Sequence, residues 1–148
     1  MSYDQWKTAT PYDDDPDVLE DAQKWLNHVA DQDPLTSFAI STDSGVIGGI
    51  GFQLRQDIYR VTAELGYWVG ENYWGRGIAT RAVRSVTTWA FENFPLERIQ
   101  ARVFESNPAS CRVLEKAGYT YEGRLRHSVL KINMVMDLIV YAILRHEL

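Results

Sequence analysis

Gly75 and Gly77 stand on either side of Arg76 in the stretch "NYWGRGIAT" (residues 72–80), directly before a helical pattern. The first N–H groups of a helix have no partner within the helix, and the helix dipole adds positive potential there. Glycine has no Cβ and therefore lets an anion approach those groups closely. The stretch is either a phosphate-binding loop or a tight turn between a strand and a helix, and its residues alone leave both open.

Two common nucleotide-binding patterns do not fit this stretch. No Lys-Ser or Lys-Thr pair follows Gly77, as the phosphate loop of the Walker type requires. Thr80 occupies the place of the third glycine in the G-x-G-x-x-G pattern of dinucleotide-binding folds. The sequence therefore argues against both of these nucleotide-binding classes.

Glu64 is a second candidate for chemistry. It lies in the strand-like run "TAELGYWVG", where side chains alternate between two faces, so Glu64, Gly66 and Trp68 share one face. A carboxylate inside a sheet is costly unless it has a partner or a task, such as taking a proton from an ammonium group. Glu64 is thus either a general base or a surface glutamate at a sheet edge.

The segment "SNPASCRVLEKAGY" predicts a short helix that carries a third candidate, Ser110. Asn107 is placed to cap this helix, Pro108 to begin it and Gly118 to end it. Ser110 falls on the apolar stripe of the helix and is expected to point inward. We interpret the neighbouring Cys111 as a core residue, because no histidine partner stands near it to activate a nucleophilic thiol.

The elements around the glycine loop form a crossover unit. Apolar residues recur at helical spacing from Ala79 to Ala90, and the pattern ends near Phe94 and Pro95. The following run "RIQARVF" alternates like a strand with one buried face. A strand, a long helix and another strand predict parallel strands at residues 64–69 and 98–104. The loop then lies at the carboxyl end of a strand, where open α/β sheets bind ligands.

The remaining segments complete an α/β pattern. "DPDVLEDAQKWLNHVADQD" (residues 15–33) predicts an amphipathic helix, and "FAIST" and "VIGGIGFQL" predict a hairpin around residues 43–45. With the run around residue 64, this gives three consecutive antiparallel strands. "TYEGRLR" and "INMVMDLIVYAILRHEL" predict one or two closing strands, although periodicity alone also allows a buried helix for the second.

Composition sets limits on the class of protein. The 148 residues, 45% hydrophobic and 24% charged, predict one soluble domain. No apolar stretch reaches the roughly 18 residues of a membrane span and no signal peptide is evident, so we expect a cytoplasmic protein without a membrane partner. The net charge of −5 without a basic stripe argues against nucleic acid, and one cysteine with scattered histidines argues against a metal site. The acidic residues 13–21 are either a solvated surface or a patch that attracts a basic substrate.

Two stretches resemble a known family: "AELGYWVGENYWGRGIATRAV" (63–83) and "ESNPASCRVLEKAGYTYEGRLR" (105–126). They are similar to the acetyl-CoA-binding core of the GCN5-related N-acetyltransferase (GNAT) family, in the branch of the ribosomal-protein N-terminal (alanine/serine) acetyltransferases. The resemblance covers residues 17–148. It implies a single α/β domain over residues 1–148, with a twisted, mixed, mostly antiparallel sheet and a splayed central parallel pair flanked by helices.

The resemblance assigns cofactor-binding roles. In the family, backbone N–H groups of the loop before the crossover helix bind the CoA pyrophosphate, and the strand before the loop pairs its backbone with the pantetheine arm. The matching residues here are Tyr67, Trp68, Val69, Trp74, Gly75, Arg76, Gly77, Ile78, Ala79, Thr80 and Asn107. Trp74 departs from the glutamine or arginine that usually opens the loop. Asn107 then has two compatible duties, a helix cap and a hydrogen bond to pantetheine.

The resemblance also implies catalytic roles. Glu64 is expected to be the general base, an N–H near Val69 to stabilise the oxyanion, and Ser110 to protonate the departing thiolate. Many family members use a tyrosine at the position of Leu114 for this last step. Ser110 alternatively is only a small residue that closes a helix contact.

The implied activity is direct transfer of acetyl from acetyl-CoA, the cosubstrate, to a primary amine without a metal. Candidate acceptors are a protein N-terminus, which the acidic segment favours if basic, a free amino acid and a small amine. Members of the branch usually have a further strand and helix at the start, so we expect the usual first strand to be missing and a sheet edge to be exposed, which favours a homodimer. The alternative is a non-catalytic acyl-CoA-binding or dimerisation module with a truncated fold.

Overall fold

The structure, a computed structural model, describes residues 34–148. In this part of the chain one six-stranded sheet has the strand order β1-β2-β3-β4-β6-β5. The elements are β1 (Ser37–Thr42), β2 (Gly45–Leu54), β3 (Thr62–Val69), α1 (Ile78–Asn93), β4 (Arg98–Phe104), α2 (Pro108–Lys116), β5 (Thr120–Lys131) and β6 (Met134–Leu144). The predicted helix over 15–33 and the predicted missing first strand lie outside the described residues.

The first three strands form an antiparallel meander, as the sequence predicted. β1 and β2 join at a turn that ends on Gly45, whose φ of 122° is a conformation that residues with a Cβ rarely adopt. β2 then pairs with β3 over seven residues, from Gly48 opposite Val69 to Leu54 opposite Ala63. This register fixes where β3 ends and therefore where the glycine loop begins.

Both helices pack on one face of the sheet, and the core lies beneath them. α1 begins at Ile78, one residue before the predicted start, and ends at Asn93 just before Pro95. Side chains of α1, α2, β3 and β4 meet in one cluster, among them Val83, Leu114, Leu65 and Val103. The alternation of β3 is clear in its burial, since residues 63, 65, 67 and 69 are buried and the even-numbered positions are partly exposed. Glu64, Gly66 and Trp68 thus share the face opposite the helices, as predicted.

The C-terminal segment forms a hairpin of two strands, so the alternative of a buried helix over "INMVMDLIVYAILRHEL" is wrong. β6 pairs with β4 on one side and with β5 on the other, which gives its apolar side chains two strand neighbours. β5 is longer than predicted and runs to Lys131. Ile132 and Asn133 form the turn with φ of 49° and 56°, instead of starting the last strand.

Candidate active site

β3 and β4 are parallel, but their described residues pair over only three positions. Thr62, Ala63 and Glu64 lie opposite Arg98, Ile99 and Gln100, and the strands then separate. β3 continues to Val69 and β4 to Phe104. The result is an opening in the middle of the sheet whose narrow end is at Glu64 and Gln100. This confirms the parallel pair that the sequence predicted and the splaying that the family resemblance implied.

The narrow end of the opening holds a cluster of charged and polar side chains on Glu64. One carboxylate oxygen of Glu64 accepts hydrogen bonds from Arg55 Nη2 at 2.6 Å and from Gln100 Nε2 at 3.2 Å. The other accepts from Arg102 Nε. The Glu64 side chain is only 10% exposed, whereas both arginines are more than a third exposed. We call Glu64, Arg55, Gln100 and Arg102 the apex cluster.

The apex cluster settles the energetic question that the sequence left open for Glu64. A carboxylate at this depth requires partners, and two guanidinium groups supply charge-assisted hydrogen bonds. Glu64 is therefore not a surface residue at a sheet edge.

The backbone of β3 faces the opening beyond Glu64. Gly70 N donates to Ile47 O on β2 at 2.8 Å, and backbone polar groups alternate between the two sides of a strand. The N–H and C=O groups of Leu65, Tyr67 and Val69 are therefore directed towards the opening. Trp74 Nε1 donates to Val69 O at 2.7 Å, so the indole covers the end of this backbone edge. The Val69 N–H is likewise directed towards the opening.

The loop after β3 has the geometry of an anion site. Gly75 and Gly77 adopt φ of 72° and 73°, and a Cβ on either would meet nothing within 4 Å. Gly77 caps α1 without a side-chain hydrogen bond, and the first turn of α1 contains no acidic residue. Backbone N–H groups and the positive end of the helix dipole are thus presented together.

The side chains of this loop are not placed to bind an anion as its backbone is. The Arg76 guanidinium lies 5.6 Å from the centre of the Tyr73 ring, and Arg76 is exposed. The Thr80 side chain is buried on the inner side of α1, and Ile78 and Ala79 are half-buried. Ile78, Ala79 and Thr80 therefore offer an anion their backbone rather than their side chains.

Ser110 lies in the first turn of α2, buried beside the opening. Its Oγ is 2.6 Å from Tyr67 Oη, and Tyr67 Oη also donates to Ser110 O at 3.1 Å. Asn107 caps α2, as predicted: its side chain accepts from Ser110 N at 3.2 Å. Cys111 is half-buried and packs against the core cluster.

Burial raises the pKa of the Tyr67 hydroxyl well above its ordinary value, and the hydrogen bond to Ser110 only partly opposes this effect. Tyr67 therefore stays protonated and can always donate. The side chain of Tyr67 connects β3 to α2 beneath the opening, which adds a side-chain role to the backbone role predicted for it.

The apex cluster and Ser110 lie on opposite faces of the sheet. Glu64 lies on the face of β3 opposite the helices. Tyr67, which contacts Ser110, lies on the other face and points towards the helices. Groups held by these two sites can meet through the opening between β3 and β4. The arrangement suits two substrates that approach from opposite faces.

Sequence reasoning missed the partners at both ends of the site. Gln100 and Arg102 share the outward parity of β4, which the alternation of "RIQARVF" shows, but the register that brings them to Glu64 requires the fold. Arg55 lies in a loop and gives no such signal. The sequence does offer a signal for the Tyr67 hydroxyl, since a buried tyrosine usually finds a hydrogen-bond partner.

The region of residues 34–148 lacks two other kinds of site. That region contains no group of three or more histidine, cysteine, aspartate or glutamate side chains placed to hold a metal ion. Neither of its helices has the length and apolar composition of a membrane-spanning segment.

Known proteins resemble this chain in sequence and in fold. It matches the acetyltransferase (GNAT) domain over residues 2–120. The putative ribosomal N-acetyltransferase YdaF of Bacillus subtilis is 31% identical over 83% of this chain, and the match spans 66% of YdaF, just under two thirds of that protein. The uncharacterized N-acetyltransferase p20 of Bacillus licheniformis is 30% identical over 97% of this chain and 80% of p20.

A solved structure agrees with the sequence matches. The crystal structure of a probable acetyltransferase superposes on 85% of this chain and 70% of its own with a TM-score of 0.71 and 30% identity. The splayed strand pair, the glycine loop before α1 and the capped helix α2 lie within the matched region. The chain belongs to the GNAT acetyltransferase family.

Proposed function

We propose that this chain transfers an acetyl group from acetyl-CoA to a primary amine and that the opening between β3 and β4 is the site of transfer. The separation of the two strands directly after Glu64 is the observation that carries the proposal. It directs backbone N–H and C=O groups of β3 into the space between the two strands, where an extended amide-containing molecule adds as a strand does.

The pantetheine arm of acetyl-CoA has such amides, and its pyrophosphate suits the other end of the edge. Backbone N–H groups from Gly75 to Thr80 bind the pyrophosphate at the start of α1, next to the indole of Trp74. Tyr67 and Val69 direct their backbone polar groups to the arm, while Trp68 between them pairs with Gly49 of β2, and Asn107 contributes from the α2 cap. Membership of the GNAT family supports acetyl-CoA as the cosubstrate.

The reaction we propose is direct attack. The amine nitrogen bonds to the thioester carbon, the carbon–sulfur bond breaks, and its electron pair leaves with the sulfur. The Val69 N–H stabilises the oxyanion that forms on the carbonyl oxygen. Glu64 takes the proton that nitrogen loses, directly or through water, while Arg55, Gln100 and Arg102 hold its carboxylate at the narrow end.

For the acceptor we propose the amino terminus of a protein. YdaF is named a putative ribosomal N-acetyltransferase, and the ribosomal-protein-serine acetyltransferase of Escherichia coli is 29% identical over 71% of this chain. Free amino acids and small amines are the comparison acceptors. A single domain over residues 1–148, a cytoplasmic location and self-association through a sheet edge belong to the same proposal.

The assay is release of free thiol from acetyl-CoA with a panel of amines that includes a ribosomal-type N-terminal peptide. Steady turnover with the peptide is expected. Glu64→Gln should lower kcat/KM by roughly 100-fold or more, within the range for loss of a general base. Glu105→Gln is the control, because Glu105 also pairs with an arginine, Arg124 of β5, at 2.7 Å, away from the apex cluster.

One observation favours a second function. Because the described partners of Glu64 occupy both its oxygens, a non-catalytic acyl-CoA-binding module would look the same at the apex. In that case acetyl-CoA binds, no acceptor gives turnover, and Glu64→Gln changes only stability. Equal turnover of Glu64→Gln and wild type would refute Glu64 as the base while leaving the transfer itself in place.

A further inference from the structure

We infer that Tyr67 is a positioning residue that controls which way the Ser110 hydroxyl donates, and that this inference rests on the proposed acetyl transfer. The pair is buried between β3 and α2, with Oη and Oγ 2.6 Å apart. A contact of that length between two hydroxyls fixes one as donor and the other as acceptor.

One arrangement of the pair uses the Ser110 proton. Tyr67 has a single proton, and Ser110 O, 3.1 Å from Tyr67 Oη, is able only to accept it. When Tyr67 donates to this carbonyl, the bond between the two hydroxyls requires Ser110 Oγ to donate to Tyr67. The Ser110 hydroxyl then has no proton to offer the opening.

A second arrangement frees that proton. If Tyr67 donates instead to Ser110 Oγ, the Ser110 O–H turns away and is available to a negative sulfur in the opening. Ser110 O loses little, because a carbonyl in the first turn of a helix also accepts from the N–H four residues later. The change needs only two hydroxyl rotations, so it costs no rearrangement of β3 or α2.

Acidity decides what the pair does for the leaving group. The ordinary pKa of a thiol is about 8.5 and that of a tyrosine about 10. Burial raises the pKa of Tyr67 further, and an aliphatic hydroxyl is a still weaker acid. Neither hydroxyl therefore gives its proton away to a thiolate. The pair donates a hydrogen bond to the sulfur as the carbon–sulfur bond breaks, and the sulfur later takes a proton from solvent.

This account revises the role expected of Ser110. It acts as a hydrogen-bond donor that Tyr67 orients, and not as a general acid. Neither hydroxyl ionises during the reaction. A Tyr67 variant should therefore have a lower kcat at every pH, while the shape of its pH profile stays that of the wild type.

The test is Tyr67→Phe, with Tyr119→Phe as the matched control. Tyr119 is also buried and bonds a hydroxyl, Thr87 Oγ1 at 2.7 Å, but that partner lies on α1 away from Ser110. Without the hydrogen bond from Tyr67 to Ser110 Oγ, the Ser110 hydroxyl is no longer held towards the opening, so kcat of Tyr67→Phe should fall by about 2- to 12-fold. KM for acetyl-CoA should change by less than about twofold, because the bond to sulfur forms only as the thiolate leaves.

A double variant shows whether Tyr67 acts through Ser110. Ser110→Ala should lower kcat at least as much as Tyr67→Phe, and the double variant should fall no further than Ser110→Ala. Site-specific 3-fluorotyrosine at position 67 keeps the hydroxyl and the shape of the ring, so it should retain wild-type kcat. This substitution also serves if Tyr67→Phe does not fold.

Two outcomes overturn the inference, and they differ from failure of the proposed function. The inference is wrong if Tyr67→Phe loses no more kcat than Tyr119→Phe, or if the Tyr67 and Ser110 effects multiply in the double variant. If instead the wild-type chain binds acetyl-CoA but releases no thiol with any amine, the proposed function itself is wrong.

Discussion

Asn107 has one observed duty and one proposed duty, which a single residue change can separate. Its side chain caps α2 through Ser110 N, and the proposed cofactor arm would also reach it. The cap needs only a short oxygen acceptor, which serine supplies as well as asparagine. The amide N–H of asparagine, which serine lacks, is available to a ligand.

We therefore expect different results from two substitutions of Asn107. Asn107→Ala should lower the free energy of unfolding by about 1 kcal/mol, because it removes the cap. Asn107→Ser should keep that stability. If the amide also binds pantetheine, both variants should weaken acetyl-CoA binding, as measured by calorimetry. Wild-type affinity in Asn107→Ser would limit the residue to capping.

At the scale of elements, the glycine loop and α1 form one unit. Gly75 and Gly77 adopt left-handed backbone conformations that place the amino end of α1 at the wide end of the opening. The open space around both α-carbons shows that conformation, and not packing, selects glycine there.

Gly77→Ala should therefore destabilise the protein by roughly 1–2 kcal/mol, the cost of a left-handed residue with a Cβ. It should also reduce acetyl-CoA affinity, since the N–H groups at the start of α1 shift. Gly45→Ala is the control, because its φ is also positive and its site is also open, but it lies in the β1–β2 turn. Thermal melts with and without acetyl-CoA measure both effects. Similar ligand-induced shifts in the two variants would contradict an anion site at the loop.

At the scale of the whole molecule, an ion-pair network ties the outer strands to the centre of the sheet. Arg124 of β5 binds Asp137 of β6 at 2.6 Å and Glu105, just after β4, at 2.7 Å. The N–H of His127 also donates to Asp137. That backbone hydrogen bond and the Arg124 guanidinium hold the pKa of Asp137 below its ordinary value.

A lowered pKa in the folded state gives a definite pH dependence. The contribution of Asp137 is present above its unfolded pKa of about 3.8–3.9 and is lost as pH falls through the lower folded value. The protection of amides in β5 and β6, measured relative to the intrinsic exchange rate at each pH, should therefore fall below about pH 4. Asp137→Asn should remove part of this acid sensitivity, and an unchanged profile would assign it to other carboxylates.

The sequence predicted the backbone of this fold better than its polar contacts. The meander, the crossover helix and the capped helix α2 follow from periodicity and from local signals at Asn107, Pro108 and Gly118. The apex cluster does not, because Arg102 meets Glu64 through the register of β3 and β4, and Arg55 reaches it from the loop after β2. The C-terminal segment was ambiguous because its apolar run fits a helix or a strand. The pairing of β6 with β4 and β5 distinguishes the two, and that pairing is not visible in the sequence.

The early separation of β3 from β4 has a consequence for how much of the protein a cell retains. Backbone pairing between the described residues of β3 and β4 stops after three positions. A ligand that pairs with the separated part of β3 completes the sheet and becomes part of the folded structure. If acetyl-CoA binds there, its binding energy adds to folding, by about 2.7 kcal/mol at a concentration of about 100 times Kd. Resistance to proteolysis would then rise and fall with the supply of activated acetyl groups, so that abundance of the protein follows the metabolic state.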